Sequence, residues 1–198
     1  GGLSVYDFNA ERIFFGVQDA VNPASGVREF IIGESGVTYT GVPVVDGADY
    51  TLVAKLDFLN DRLSFWINPD LTQPEGPPNA TRTYTGDNWM SAVRLGSGGS
   101  APTNWDDVAV GASWGAMQKA YPQGTAASGL DQIIAREDFH YINGNIVGHD
   151  SGIGWDFDNQ NGSTFVGHTQ LASNWDNVEG WPYIFSNRLA TWNSSAKR

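Results

Sequence analysis

The alternation of apolar and polar residues is most regular between Tyr50 and Pro69, where two alternating runs follow one another. The apolar positions are Leu52, Ala54, Leu56 and Phe58 in the first run, and Leu63, Phe65 and Ile67 in the second. A period of two residues puts one set of side chains on a core and the other towards water. Asn60-Asp61 between the runs suits a turn, and Pro69 ends the second run. We therefore predict a central β-hairpin in an antiparallel sheet, with Trp66 on its water-facing side.

The rest of the chain consists of short strand-like runs separated by turn-forming segments, which is typical of an all-β domain. The predicted strands are Leu3–Phe8, Arg12–Val17, Val27–Ile32, the edge strand Val37–Tyr39, Ser91–Leu95, Trp105–Trp114 and Ile133–Tyr141. Asp70–Asp87 is rich in Pro, Gly, Thr and Asn and is predicted to be a long loop. The best helical segment is the short Gly115–Ala120, which stops near Pro122.

Composition narrows the classes of function that fit the chain. A net charge of −11 argues against nucleic acid as a partner, because phosphate binding needs clustered Lys and Arg. The chain has no cysteine, which excludes disulfides and thiolate metal sites. It has no apolar run of about 18 residues, so no membrane insertion is expected. The acidic surface fits an extracellular or cell-surface location.

Several stretches carry a resemblance to one family. The hairpin ending in WINP, the Pro-rich loop after it and WDDVAVGASW (105–114) together resemble the closing part of concanavalin A-like, laminin-G-type jelly-roll domains of large bacterial secreted and surface proteins. GGLSVYDFNAERIFFG (1–16) resembles an internal strand pair of that family. AREDFHYINGNIVGHDSGIGWDF (135–157) and its sequel from Ser173 resemble the opening of such a domain. The resemblance implies a two-sheet antiparallel jelly-roll sandwich.

The order of these motifs is inverted, since the end of a domain precedes a beginning. The predicted division is residues 1–119 as the C-terminal two-thirds of a jelly roll, a linker over 120–132, and residues 133–198 as the N-terminal part of one. Three explanations are open: a piece of a tandem array, a circularly permuted domain, or subunits that complete their neighbours by lending strands. Open sheet edges invite such strand addition.

Candidate catalytic and metal-binding residues are sparse. Sandwich glucanases place acids on one strand in a Glu-x-Asp-x-x-Glu spacing, and no glutamate of this chain fits that pattern, so the chain is not expected to be a glycosidase. The best cation site is a loop of hard oxygen ligands before Gly162, where we name Asp156, Asp158, Asn159 and Asn161 as calcium ligands. The alternative is an Asx-rich turn whose side chains cap their own backbone.

Aromatic residues offer a second kind of binding site, because exposed rings stack on sugar faces. The residues named for this carbohydrate site are Trp66, Trp89, Tyr84 and Trp105. The alternative for these rings is use in the core or at an interface.

Two functions follow as expectations. The first is a non-catalytic extracellular structural or adhesive repeat, a filament or surface-layer subunit assembled head-to-tail by strand exchange with copies of itself or adjacent repeats. The second is a lectin-like carbohydrate-binding module that binds glycans, with or without calcium.

Overall fold

The computed structural model describes residues 1–7, 10–34, 36–84, 92–97, 103–120, 133–137, 144–145, 176–179, 183–185, 188–191 and 194–197. In this part of the chain the strands pair mostly antiparallel, and the helical structure is one short helix. The all-β class predicted from the pattern is confirmed at this level.

The elements are numbered in chain order. The strands are β1 Gly2–Asp7, β2 Ala10–Val17, β3 Glu29–Glu34, β4 Gly36–Pro43, β5 Leu52–Asp57, β6 Arg62–Ile67, β7 Ala80–Thr83, β8 Ala92–Ser97, β9 Thr103–Trp105, β10 Val108–Gly111, β11 Ile133–Glu137, β12 Gly144–Asn145, β13 Asp176–Glu179, β14 Tyr183–Phe185, β15 Arg188–Thr191 and β16 Ser194–Lys197. The helix is α1 Trp114–Ala120.

The chain divides into two compact units. Unit 1 contains Gly1–Asp70 and Gly76–Leu95, and unit 2 contains Leu71–Glu75 and Gly96–Arg198. This division is not the predicted one between residues 1–119 and 133–198, which remains a prediction. Each unit is described by itself.

Unit 1 is a two-layer β-sandwich. One layer has the strand order β8-β1-β2-β3-β4, where β8 contributes Ala92–Leu95, and the other has the order β5-β6-β7. The facing sides of the two layers share one hydrophobic core, as expected for sheets that pack face to face. Its buried members are Val5, Ile13, Phe15, Phe30, Ile32, Leu63, Phe65, Ile67, Ala80 and Tyr84.

The predicted central hairpin is confirmed as β5 and β6, with Leu52 opposite Ile67 and Asp57 opposite Arg62. Its turn is held by Asp57, whose carboxylate accepts hydrogen bonds from the backbone and side-chain amides of Asn60 at 3.1 and 2.8 Å. Asp61 then adopts the left-handed conformation with φ 49°, which Asp tolerates better than most residues. The turn chemistry read from Asn60-Asp61 therefore has the expected physical basis.

Two sequence predictions about this region are wrong in detail. The predicted loop Asp70–Asp87 contains strand β7, whose Ala80 pairs with Phe65, so an extra strand follows the Pro-rich stretch. The predicted strand Trp105–Trp114 is broken into β9 and β10, and Trp114 begins helix α1. Alternation of small residues was too weak a signal there, because Gly111-Ala112-Ser113 contributes little side-chain area for a strand to bury.

Unit 2 contains short antiparallel pairings. β10 pairs with β11, β13 with β16, and a sheet has the order β12-β14-β15-β9. Strands β9 and β10 precede the predicted linker at residues 120–132, whereas their partners β15 and β11 follow it. Within the described residues, no helix is long and apolar enough to cross a membrane.

We predict that Phe65→Ala lowers the free energy of unfolding of unit 1 by about 3 to 5 kcal/mol, the usual cost of emptying an aromatic core site. The Phe65 ring lies 5.3 Å from Phe15 and 6.4 Å from Phe30, centroid to centroid, and is fully buried. Leu59→Ala is the control, because Leu59 is 91% exposed at the hairpin tip and should change stability by under about 0.5 kcal/mol. Urea unfolding of both variants tests this; similar losses would contradict the described core.

Candidate functional site

Trp66, the first residue named for a carbohydrate site, does not face water. Its side chain is 3% exposed, and its indole N–H donates a hydrogen bond of 2.9 Å to the carbonyl of Gly76. The prediction of a water-facing Trp66 is wrong because the indole is enclosed on the outer face of the hairpin, where the chain after β6 brings the Gly76 carbonyl to its N–H. Val53, opposite Trp66 on β5, is buried on the same face. An indole enclosed in this way cannot stack on a sugar.

The Pro-rich segment has a second tryptophan contact, within unit 2. The indole N–H of Trp114 and the side-chain amide of Gln118 both donate to the carbonyl of Gln73, at 3.0 and 2.9 Å. Each contact satisfies a loop carbonyl with a donor from an ordered element, which is how irregular backbone keeps its polar groups paired. Among the described residues, these tryptophans act as structural anchors.

The other aromatic residues named for sugar binding are not brought together by the described structure. Tyr84 is buried in the core of unit 1, where its ring meets Phe58 edge-on at 6.4 Å. Trp105 is half-buried on β9 in unit 2. Trp89 lies outside the described residues. Within the described part of the chain, the exposed large hydrophobic residues are all aliphatic: Val21, Val27, Val37, Val45 and Leu59.

The predicted calcium ligands Asp156, Asp158, Asn159 and Asn161 lie outside the described residues. In the part of the chain that the structure describes, no group of three or more His, Asp or Glu side chains could hold a metal ion. The calcium site therefore stays a prediction from sequence.

The most enclosed carboxylate of unit 1 belongs to Glu29, which is 3% exposed. Ser25 and Asn22 donate to its Oε1 at 2.5 and 3.0 Å, and the backbone N–H of Gly41 donates to its Oε2 at 3.0 Å. Gly41 presents that N–H from a left-handed conformation with φ 74° at a bulge in β4. The hydrogen bond from Ser25, then those from Asn22 and Gly41, lower the pKa of Glu29. This carboxylate ties the β2–β3 loop to β4.

Glu11 is the second carboxylate engaged by several donors. Ser4 and Tyr6 on β1 donate to its two oxygens at 3.1 and 3.2 Å, and Arg94 forms an ion pair of 3.0 Å with it. The guanidinium of Arg94 also lies 5.4 Å from the centre of the Tyr6 ring, a cation–π geometry. This network crosslinks β1, β2 and β8 and uses the carboxylate as a structural acceptor.

The outer edge of β5 is an open edge of the smaller layer of unit 1 in the described part of the chain. In the order β5-β6-β7, β6 lies on one side of β5, and no strand pairs with its other side in the part of the chain described. Thr51, just before β5, shows which backbone groups face β6. Its carbonyl accepts a hydrogen bond from the backbone N–H of Asn68, and its N–H donates to the Asn68 side chain. Alternation along an antiparallel pair then directs the backbone groups of Leu52, Ala54 and Leu56 outwards.

The side chains of the same three residues lie on the core side but are incompletely covered. Leu52, Ala54 and Leu56 are half-buried and pack against the core, whereas their β6 partners Ile67, Phe65 and Leu63 are fully buried. We call these outward backbone groups and half-buried side chains of Leu52, Ala54 and Leu56 the β5 edge. An added strand would satisfy the backbone groups and complete the cover of the core at once.

The outer face of β5 carries charge. Lys55 is exposed there, and Asp57 follows two residues later on the same face. The hydrogen bonds from Asn60 lower the pKa of Asp57, and the nearby charge of Lys55 adds to the effect. The edge therefore presents one cation and one anion on the side away from the core.

The sequence pattern predicts this hairpin as the centre of a sheet, whereas β5 is the outermost strand of the order β5-β6-β7. One signal was available: in the middle of the outer face, β5 carries the charged Lys55 where its partner on β6 is Ser64. Charged side chains mark edge strands more often than central ones.

Comparisons of the chain with protein-family models, with curated proteins and with solved structures find no match. The resemblance to laminin-G-type jelly rolls therefore rests on the sequence motifs alone.

We predict that Trp66→Phe lowers the free energy of unfolding by about 1 to 3 kcal/mol, because it leaves part of the buried indole site empty and removes the hydrogen bond to the Gly76 carbonyl. Trp105→Phe, at a half-buried ring, is the matched control and should cost less. Urea unfolding measures both. Unchanged stability in Trp66→Phe would contradict the burial of this indole.

We predict that Glu29→Gln destabilises the protein at neutral pH and that the difference from the unchanged protein shrinks in acid. A carboxyl whose pKa is lowered by folding contributes its stability above the unfolded value of about 4.3 and loses it as pH falls through the folded pKa. Thermal unfolding from pH 7 to pH 3 (roughly the span of a carboxyl titration) measures this. The control is Glu75→Gln, at an exposed position; a difference for Glu29→Gln that does not vary with pH would contradict the account.

Proposed function

We propose that this protein is a non-catalytic extracellular structural or adhesive repeat, a filament or surface-layer subunit whose copies or adjacent repeats join through open strand edges. The observation that carries the proposal is the β5 edge. Leu52, Ala54 and Leu56 combine outward backbone groups with half-buried side chains, which is the combination that strand addition requires. A jelly-roll topology completed by a neighbouring repeat or subunit is part of the same proposal.

The pairing pattern of unit 2 supports the same mode of assembly. β9 and β10 obtain their partners β15 and β11 from residues beyond the predicted linker at 120–132. Strands that are completed by a distant part of the chain can exchange that part with a second copy when the connection permits it. Assembly by strand exchange is thus open to both units.

The alternative of a carbohydrate-binding module gains no support from the described residues. Trp66 and Tyr84 are buried, and the exposed large hydrophobic side chains in the described ranges are aliphatic. Packing accounts for the positions of Trp66 and Tyr84 without a sugar ligand.

We predict that Ala54→Pro weakens self-association while leaving the fold intact. The N–H of Ala54 points outwards, so proline removes a donor that an added strand needs and none that β6 uses. Sedimentation velocity over a concentration series should show assembly of the unchanged protein and its loss in the variant, with circular dichroism as the check on folding.

Thr81→Pro is the matched control for this prediction. Thr81 lies on β7 at the opposite edge of the same sheet. The backbone N–H of Tyr84 donates to the Asp61 carbonyl and so faces β6. Because backbone groups alternate in direction along a strand, the N–H of Thr81 points outwards. Assembly should survive Thr81→Pro. A protein that stays monomeric at every concentration, or that assembles equally well with Ala54→Pro, would overturn the proposal.

A further inference from the structure

We infer that the occupant of the β5 edge is the β5 edge of a second copy, paired antiparallel about a two-fold axis at Leu56, so that Lys55 of each copy faces Asp57 of the other. This inference rests on the proposed function and deepens it, since it names the partner strand, its direction and its register.

Three symmetric registers are available to the pair. The outward residues Leu52, Ala54 and Leu56 have even numbers, so the two-fold axis can lie at Ala54, at Lys55 or at Leu56. The charges on the outer face distinguish these registers, because residues directly opposite each other in an antiparallel pair interact strongly enough to matter.

An axis at Ala54 puts Lys55 opposite the apolar Val53 of the second copy. An axis at Lys55 puts the two ammonium groups opposite each other, which is destabilising. An axis at Leu56 puts Lys55 opposite Asp57 and Asp57 opposite Lys55, which gives two reciprocal opposite-charge pairs. The last register is favoured over the other two because it places both charges of each copy directly opposite charges of the other sign on the second copy.

The carboxylate of Asp57 can take part without leaving its own turn. Its hydrogen bonds come from the backbone and side-chain amides of Asn60 and from the backbone N–H of Leu59. An ionised carboxylate offers about four acceptor positions, so room remains for an ammonium group across the junction.

The core side of the same register is apolar. Leu56 meets Leu56 of the second copy on the axis, and Ala54 lies opposite Phe58, so these half-buried side chains cover one another across the junction. The hairpin tip with Leu59, the most exposed large hydrophobic residue described, comes to lie alongside β5 of the second copy. Self-pairing therefore removes apolar surface from water on both sides of the axis.

Lys55 also restricts which strands can pair with the β5 edge. A lysine on an edge strand discourages pairing with unrelated strands. Asp57 two residues further on relieves that penalty for one partner in one register, namely the same strand of a second copy. The overlap spans Ala54 to Phe58, so the junction is small and the association weak in isolation. In a tandem or surface-bound array, the high effective concentration of neighbours raises the fraction of β5 edges that are paired.

The inferred junction is isologous and closes on two copies. A filament therefore needs a second contact on each copy. In the part of the chain that the structure describes, no strand pairs with the outer edge of β4, the last strand of the order β8-β1-β2-β3-β4 in unit 1, so a second contact can form there, with Val37 exposed on it.

The test is a charge swap in the full chain. Lys55→Asp and Asp57→Lys, each alone, place like charges opposite each other twice and should weaken association by roughly tenfold or more. The double variant Lys55→Asp with Asp57→Lys restores both opposite-charge pairs and should associate again. An equimolar mixture of the two single variants should also associate, because each charge then faces its opposite in the other chain.

The control is Asp49→Lys, which makes the same charge change as Asp57→Lys at an exposed loop position before β5 and should leave association unchanged. Because Asp57→Lys removes the contact with Asn60, circular dichroism accompanies each measurement, and the double variant carries the same loss. Association of the unchanged protein should also weaken with added salt.

Restored association in the mixture and in the double variant supports the two-fold β5 pairing. Single variants that associate as well as the unchanged protein, or a mixture no better than its components, overturn it. If Ala54→Pro abolishes assembly while the charge swaps have no effect, the proposed function stands and this inference fails. If no variant alters assembly, both fail.

Discussion

Burial of β6 on both faces is the constraint on which the rest of unit 1 depends. Phe65 and its neighbours fill the space between the two sheets, while Trp66 on the opposite face needs a cover of its own. The chain after β6 supplies the Gly76 carbonyl, which accepts a hydrogen bond from the enclosed indole N–H. β5, one strand further out, shares the core on one face but has no strand along its outer side in the described structure. Among the described strands, β6 has a neighbour on each side and β5 has one, so β5 forms an open edge of this sheet.

The sequence predicted those parts of the fold that depend on local periodicity and turn chemistry. The hairpin, its core residues and its Asn60-Asp61 turn follow from alternation and from side chains that tolerate left-handed backbone. Trp66 could not be placed in this way, because alternation tells which side chains share a face but not whether that face is covered by a distant segment. Strand β7 was not predicted for a related reason. Ala80–Thr83 is a short run whose strand geometry comes from its pairing with β6.

The candidate site could be predicted only in part. Strand addition followed from the inverted order of motifs, but the strand that receives the partner depends on sheet order, which is a tertiary property. The carbohydrate residues were chosen because they are aromatic and lie on polar registers or in loops, and burial of Trp66 and Tyr84 shows how weak that criterion is when loops pack over a sheet. Glu11 and Glu29 each accept hydrogen bonds from several donors and brace unit 1. The sequence pattern singled out neither of them.

The most direct test of the central claim is hydrogen–deuterium exchange at the backbone amides of Ala54 and Leu56 as a function of protein concentration. These amides point away from β6, so they exchange rapidly in a lone molecule and become protected only when another strand accepts their hydrogen bonds. We expect protection of both amides to rise with concentration, while that of Val53 and Lys55, which face β6, stays constant. Rapid exchange of both at every concentration, under conditions where the protein assembles, would contradict the account.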